Sequence, residues 1–322
     1  MIKLDKKDRK LLYELDLNSR QSYHKLAKKI GLSKDSVIYR IKKLQAEGVI
    51  KQFHTIIDTG KLGYTSFRLY LDLVKTTPKD KDDIINYLKS KKCVTWMVSI
   101  DGSYDLGIWV LTKSVKEMNN FWKELHEKYN KFLGNVDMSV FTKVSYFPRS
   151  YLLEKKYNDK EFAFITEPEE LKIDGVDFEI LKLIAPNARI KITEIASKLD
   201  LTTKTIISRI KELERKNIII GYRTLFDLEK LGYQYFKVHF VLQDYTKEQE
   251  REFRNYIKQH PNIIYDNEVL GGSNIEIEIQ VKDLVELRGI IGEIQTKFFK
   301  IIEDYKQMSF YEEHKFVFLP ES

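Results

Sequence analysis

Within one short stretch the chain sets out hydroxyls, a carboxylate, a phenol and several cations: Lys34, Asp35, Ser36 and Tyr39, then Arg40, Lys42 and Lys43. A second run of the same kind holds Thr203, Lys204, Thr205 and Ser208, followed by Arg209 and Lys211. Short polar side chains suit hydrogen bonding to base edges, and lysines and arginines suit phosphate neutralisation. The chemistry they offer is recognition of a polyanion. Arg40 and Arg209 each sit beside a core residue and have a second use, as partners for a helix carboxylate. Tyr39 is equally suited to packing, and Lys42, Lys43 and Lys211 to a plain polar face.

Catalytic and metal-binding patterns are missing from the sequence. His24, His54, His126, His239, His260 and His314 fall in unrelated segments and form no His-Glu-x-x-His pattern. Asp101-x-Ser103-x-Asp105 resembles the start of a calcium loop, but Leu106 stands where such a loop needs glycine. There is no Gly-x-x-x-x-Gly-Lys-Ser/Thr loop and no Gly-x-Ser-x-Gly elbow. The single cysteine, Cys93, excludes an internal disulfide or a multi-thiolate site and reads as a core thiol. Neither a metal nor a cofactor is expected.

Helices must position the two polar runs. Leu11, Leu12 and Leu15, then Leu26, Ala27 and Ile30, then Val37, Ile38, Ile41 and Leu44 recur at helical spacing, which predicts three short helices. Ser33 is a natural N-cap for the third, and Gly31-Leu32 turns the chain before it. Val37, Ile41 and Leu44 then anchor that helix and leave its early polar residues outward.

A shift of 169 residues lays this segment on a second copy, with 20 identities in the 61 positions from 4 to 64. Leu62-Gly63-Tyr64 falls on Leu231-Gly232-Tyr233, and after it the period drops to two in both copies. Phe67, Leu69, Leu71 and Leu73 alternate with polar residues, as do Phe236, Val238, Phe240 and Leu242, which predicts half-buried strands. The order beyond is strand, helix, strand, strand, helix, strand. In the first copy it runs Ser66–Val74, Asp80–Lys91, Val94–Ile100, Asp105–Leu111, Ser114–Tyr129 and Val136–Tyr146. In the second it runs Tyr235–Gln243, Lys247–Gln259, Ile263–Leu270, Ile275–Val281, Asp283–Phe299 and Tyr305–Phe310. That is the βαββαβ, ferredoxin-like order.

The expected fold class is therefore α+β, with two winged helix-turn-helix modules alternating with two ferredoxin-like domains. The divisions are 1–64 and 171–233 for the helical modules, 65–146 and 234–322 for the βαββαβ domains, and a linker at 147–170. At 3.3 Å per residue an extended linker is long enough for the two sheets to meet. Their second faces, with Tyr70, Met97 and Trp109, need such cover.

Charge is uneven along the chain. Residues 1–64 carry 15 Lys and Arg against 7 Asp and Glu, net +8, more than the +7 of the whole protein. The equal window 170–233 has 12 against 10, net +2. No apolar run approaches the roughly 18 residues of a membrane span, and no apolar signal core follows Met1, so a cytoplasmic protein is expected.

The string Leu4-Asp5-Lys6-Lys7-Asp8-Arg9-Lys10-Leu11-Leu12, Asn18-Ser19-Arg20, Leu26-Ala27, Gly31-Leu32-Ser33, Val37-Ile38-Tyr39-Arg40-Ile41 and Leu44 to Ile50 resembles the Lrp/AsnC, or feast/famine, transcriptional regulators. The second copy keeps Asp174, Asn187, Arg189, Ala196, Arg209 and Leu213, but has Asp200 for Gly31 and Asn217 for Gly48, so its turns are expected to be less regular. The resemblance implies a RAM-type βαββαβ domain that dimerises and binds an amino acid near the loop joining its middle strands. Here that loop is Asp101, Gly102, Ser103, Tyr104 and Asp105; the second copy, with Gly271-Gly272-Ser273-Asn274, lacks the tyrosine. The Gly102 and Gly272 turns are equally plain hairpin chemistry.

The resemblance implies a regulator that binds double-stranded DNA, responds to an amino acid or other small effector, forms a pseudo-dimer within one chain and associates into homo-oligomers. Two alternatives share the scaffold. Fused siroheme decarboxylases have middle strands that look rich in His, Tyr and Arg, whereas Thr95–Ser99 and Leu106–Val110 contain no histidine. An effector-sensing partner protein without its own operator would have little use for two helix-turn-helix modules.

Overall fold

The computed structural model describes residues 2–158, 160–165 and 171–320. In the first copy, helices α1 (Lys6–Leu17), α2 (Tyr23–Ile30) and α3 (Lys34–Ala46) lead into strand β1 (Ile50–Ile57). There follow β2 (Thr65–Leu73), α4 (Pro78–Ser90), β3 (Val94–Asp101), β4 (Leu106–Thr112), α5 (Val115–Tyr129) and β5 (Leu133–Tyr146). A short strand, β6 (Phe162–Ile165), precedes the second copy. That copy has α6 (Gly175–Ile184), α7 (Ile192–Lys198), α8 (Thr203–Arg215), β7 (Ile219–Phe226) and the single turn α9 (Leu228–Leu231). It continues with β8 (Gln234–Leu242), α10 (Lys247–Gln259), β9 (Ile263–Leu270), β10 (Ile275–Val281), α11 (Leu284–Phe298) and β11 (Ile302–Phe316).

The two βαββαβ sheets close on each other. Around the ring the order is β2, β4, β3, β11, β8, β10, β9, β5 and back to β2, an eight-stranded antiparallel barrel. Closure is symmetric, because the last strand of each copy pairs with the second strand of the other's domain: β11 with β3, and β5 with β9. All eight strands of the barrel gain two neighbours, which leaves no open edge within it.

Strand alternation assigns the two faces. Phe67, Leu69 and Leu71 pack outward with Ile84, Leu88, Phe121 and Leu125 of α4 and α5. Val238, Phe240, Ile277 and Ile279 pack likewise with Phe253, Ile257, Ile291 and Ile294 of α10 and α11. Arg68, Tyr70, Trp109, Lys237, His239, Glu276 and Glu278 occupy the alternate positions and face the barrel interior. Met97, expected there too, instead belongs to the outward core with Phe67 and Ile84, because the β3–β4 register shifts between Val94 and Trp96.

Inside the barrel Arg68 and Glu276, at 2% and 0% exposure, form a two-point ion pair, with Nη2 to Oε1 at 2.8 Å. Lys237 Nζ lies 3.5 Å from Glu276 and 3.4 Å from Glu278. Burial alone would raise the Glu276 pKa, but Arg68, His239 and Lys237 together hold it well below the usual carboxylate range. Two cations and two carboxylates thus neutralise one another inside the barrel.

The segment expected to be a linker is largely built into the fold over its described part. Phe147, Tyr151 and Leu152 are buried, β6 adds to the edge of β5, and Asn158 Nδ2 donates to the His260 carbonyl at 2.7 Å. Residues 159 and 166–170 lie outside the described residues.

The helical modules share one continuous core, in which Leu11, Leu15, Ile30, Ile41 and Ile56 join Ile180, Ile184, Ile206, Ile210 and Ile219. Strands β1 and β7 form a two-stranded antiparallel ribbon between them, with His54 opposite Arg223 and Thr55 opposite Tyr222. The contacts repeat across the pseudo-twofold. Ser19 N donates to the Tyr222 carbonyl at 2.9 Å and Ala188 N to the Phe53 carbonyl at 2.8 Å. Thr55 Oγ1 donates to the Ile184 carbonyl at 2.7 Å and Thr224 Oγ1 to the Leu15 carbonyl at 3.0 Å.

Candidate nucleic-acid interface

Each module presents its third helix with one face in the core and the other in solvent. On α3, Val37, Ile41 and Leu44 are buried; on α8, Ile206, Ile210 and Leu213 are. Ser33 caps α3 by accepting from Ser36 N at 3.1 Å, and Thr202 caps α8 from Thr205 N at 3.1 Å. The caps fix the first turns, where base-contacting residues of a recognition helix lie.

Lys34, Asp35, Tyr39, Lys42 and Lys43 are exposed on α3, with Ser36 partly so. Tyr39 is 68% exposed, so it is not a packing residue. On α8, Thr203, Lys204, Ser208 and Lys211 are exposed and Thr205 partly so. The sequence-predicted polar residues are thus brought to one surface in each module.

Arg40 and Arg209 behave differently. Arg40 Nη1 reaches Asp5 Oδ2 at 2.7 Å and Asp8 Oδ1 at 2.6 Å, the two carboxylates of the capping box that opens α1. Arg209 repeats this with Asp174 at 2.7 Å and Asp177 at 2.9 Å. The Asp177 amide and Arg209 hold the Asp174 carboxyl below its ordinary pKa. Both arginines thus take up the second use the sequence offered them, tying the third helix to the start of the first.

The less regular turns expected in the second copy are not seen. Asp200 and Asn217 take up φ values of 51° and 52°, the left-handed conformation held by Gly31 at 73° and Gly48 at 70°. Asp and Asn are the residues that tolerate that region best after glycine. The third helix is placed alike in both copies.

The loop Asp101 to Asp105 also has a structural explanation. Asp101, Gly102 and Ser103 are exposed, and Gly102 has φ of 142°. Tyr104 stacks on Tyr70 with ring centroids 5.3 Å apart. Asp105 accepts from Leu73 N at 2.8 Å and pairs with Lys81 at 3.1 Å. Asn274, at the equivalent position, accepts from Leu242 N at the same 2.8 Å. Asp105 therefore braces a hairpin that both copies need.

Sequence reasoning missed the ribbon and the charged groups beneath it. Asp16 is fully enclosed and takes the Arg149 amide at 2.8 Å, the Arg149 guanidinium and Arg223 Nη2 at 2.7 Å. The lone signals were an aspartate on the apolar side of α1 and an arginine among strand residues.

Comparison with known proteins fits this geometry. A family model described as winged helix-turn-helix DNA-binding matches residues 4–51 and 173–220. The chain is 30% identical over 122 residues to the proline dehydrogenase transcriptional activator of Rhodobacter capsulatus, covering 38% of this chain and 79% of that protein. It is 32% identical over 146 residues to the transcriptional regulator AzlB of Bacillus subtilis, covering 43% of this chain and 88% of that one. The regulatory protein AsnC of Haemophilus influenzae matches at 29% over 120 residues, 37% of this chain and 79% of that protein. The chain belongs to the Lrp/AsnC family of transcriptional regulators. Each of these relatives matches less than half of the chain and most of its own length, as a duplicated Lrp/AsnC protein requires. Among solved structures, the siroheme decarboxylase NirDL superposes with a TM-score of 0.63 over 98% of this chain and 94% of that chain, at 14% identity. That likeness is one of fold, and it extends to the whole two-copy architecture. No helix among the described residues is long and apolar enough to cross a membrane.

Proposed function

We infer that this chain binds double-stranded DNA as a sequence-specific regulator, with α3 and α8 each in a major groove and the β1–β7 ribbon fixing their separation. One polypeptide then does the work of a family dimer. The observation that carries the reading is the pair of capped third helices, each anchored by three buried aliphatic residues and exposed along its early polar face. The contact set is Lys34, Asp35, Ser36, Tyr39, Lys42 and Lys43 on α3, and Thr203, Lys204, Thr205, Ser208 and Lys211 on α8. A second helix in the groove is supported by the unchanged turn geometry at Asp200 and Asn217.

The relatives are named regulators, which supports a protein without catalytic activity, and the NirDL likeness does not extend to sequence. Incubation with siroheme under reducing conditions is expected to leave the tetrapyrrole intact. Response to an amino acid at the exposed Asp101–Gly102–Ser103 turn, and association into homo-oligomers, belong to the same reading. The test is competition: duplex DNA carrying a genomic promoter sequence should displace labelled heparin at lower concentration than scrambled duplex. Equal displacement by both would overturn sequence-specific binding.

A further inference from the structure

A cavity of about 910 Å³ lies between the barrel and the ribbon. It is near the upper end of the roughly 300–1,000 Å³ range of small-molecule sites, and barrel mouths are a recurrent place for them. Both copies contribute walls: Trp109 and Tyr146 from the first, Tyr235 and Tyr265 from the second, with His54 and Arg223 from the ribbon. It is separate from the exposed face of either third helix.

Residues that line this space carry buried donors without acceptors. Among the described residues, Arg223 Nε and Nη1, Trp109 Nε1 and Gln280 Nε2 are buried with no hydrogen-bond partner. Arg223 is 2% exposed and lies over the Tyr146 ring, 3.1 Å from its centroid. An unmatched buried donor costs roughly 1–3 kcal/mol, so several around one cavity describe a missing acceptor.

The charge pattern agrees. Deep in the barrel Arg68 and Lys237 are answered by Glu276 and Glu278. Nearer the ribbon, Arg149 and Arg223 share the carboxylate of Asp16, and the cavity's other buried carboxyl there, Glu313, is pushed up to about 7 by burial, so the two guanidiniums are only partly answered.

We propose that this cavity binds one anionic molecule with a flat aromatic body, its acidic oxygens accepting from Arg223, Trp109 and Gln280 and its ring system lying among the tyrosines. A free amino acid would leave most of the space empty and would set an ammonium group near Arg149 and Arg223. Because Arg223 belongs to β7 and its partner Asp16 to α1, an anion that engages Arg223 meets the contact that joins the first module to the ribbon. The site stands apart from the DNA reading and is tested without DNA.

The probe is 8-anilinonaphthalene-1-sulfonate titrated into the full chain, with neutral N-phenyl-1-naphthylamine as the uncharged counterpart. We expect one sulfonate probe per chain, bound at least tenfold more tightly than the neutral one. Trp109→Phe, which keeps the ring and removes one donor, should weaken the sulfonate about tenfold and leave the neutral probe unchanged, as loss of a charged hydrogen bond predicts. Val98→Trp, which pushes an indole from the cavity wall into the space, should weaken binding of both probes while the circular dichroism spectrum is retained. Should Val98→Trp not fold, Trp109→Phe carries the test alone. No saturable binding, equal affinity for both probes, or a Trp109→Phe chain that binds as the parent does would overturn the proposal.

Discussion

Arg20 and Arg189 occupy equivalent places in the two copies, and each donates to the backbone of the other's module. Arg20 Nη1 reaches the Ala188 carbonyl and Arg189 Nη1 the Ser19 carbonyl, while Arg189 also lies over the Tyr23 ring at 4.4 Å. The two modules are joined by an exchange that neither makes alone, and so the third helices have a fixed mutual geometry.

Arg20→Ala with Arg189→Ala removes two charge-assisted hydrogen bonds, each worth about 1.5–3 kcal/mol. The double variant should lose most of the affinity advantage of a two-half-site duplex over a single half-site. Fluorescence anisotropy with the two duplexes reads this out. An unchanged advantage would show that the modules need no mutual fixing.

Lysine and arginine on α3 should separate by salt dependence. Lys42→Gln with Lys43→Gln is expected to flatten the slope of log affinity against log salt by up to about two, at roughly 0.9 per phosphate contact. Lys211→Gln should flatten it by no more than about one. Arg40→Met breaks the pairs to Asp5 and Asp8 instead, so it should weaken binding at every salt concentration without changing the slope. A flattened slope for Arg40→Met would return that residue to the phosphate contacts.

Glu276→Gln leaves Arg68 buried without its anion. Breaking one side of a buried pair costs about 3–5 kcal/mol, whereas replacing both residues by apolar ones of similar size is far less harmful. Urea denaturation of Glu276→Gln and of the Arg68→Met, Glu276→Leu double variant should show that order. Equal losses would mean that the pair is not desolvated.

Two groups of opposite sign shape the pH dependence. Burial depresses His260 to about 4 and His239 to about 3, so the folded chain binds fewer protons there than the unfolded one. Their stabilisation is complete above the ordinary histidine pKa near 6.5 and is lost as pH falls toward those values. Glu313 is pushed up to about 7 by burial, despite the bond from Trp96 Nε1, so it removes stability as pH rises from about 4.5 to 7. Denaturation between pH 5 and 8 should find His260→Gln less acid-sensitive than the parent and Glu313→Gln relatively more stable at pH 8. The reverse signs would contradict these environments.

The helices and most strands were legible because their apolar spacing is regular. Asp80–Lys91 was expected where Pro78–Ser90 is found, and Lys247–Gln259 is found as expected. The ribbon was not, since β1 is buried on both faces from Phe53 to Ile57 and has no alternation to read. Its partner β7 is 169 residues away, and pairing across copies leaves no local mark. Met97 misled for a related reason: a register shift turns its side chain to the opposite face. Within the candidate interface, residue types located the third helices, but Arg40 and Arg209 needed coordinates, because an arginine that ties two helices together has the same spacing as one that meets a phosphate.

The central claim is that two unlike helices of one chain read one duplex. Selection of bound fragments from a random DNA pool by the purified chain, with heparin as competitor, tests it most directly. The account predicts enrichment of a site with two different half-sites separated by about one helical turn or a multiple of it. No enrichment, or two identical half-sites under one chain, would contradict it.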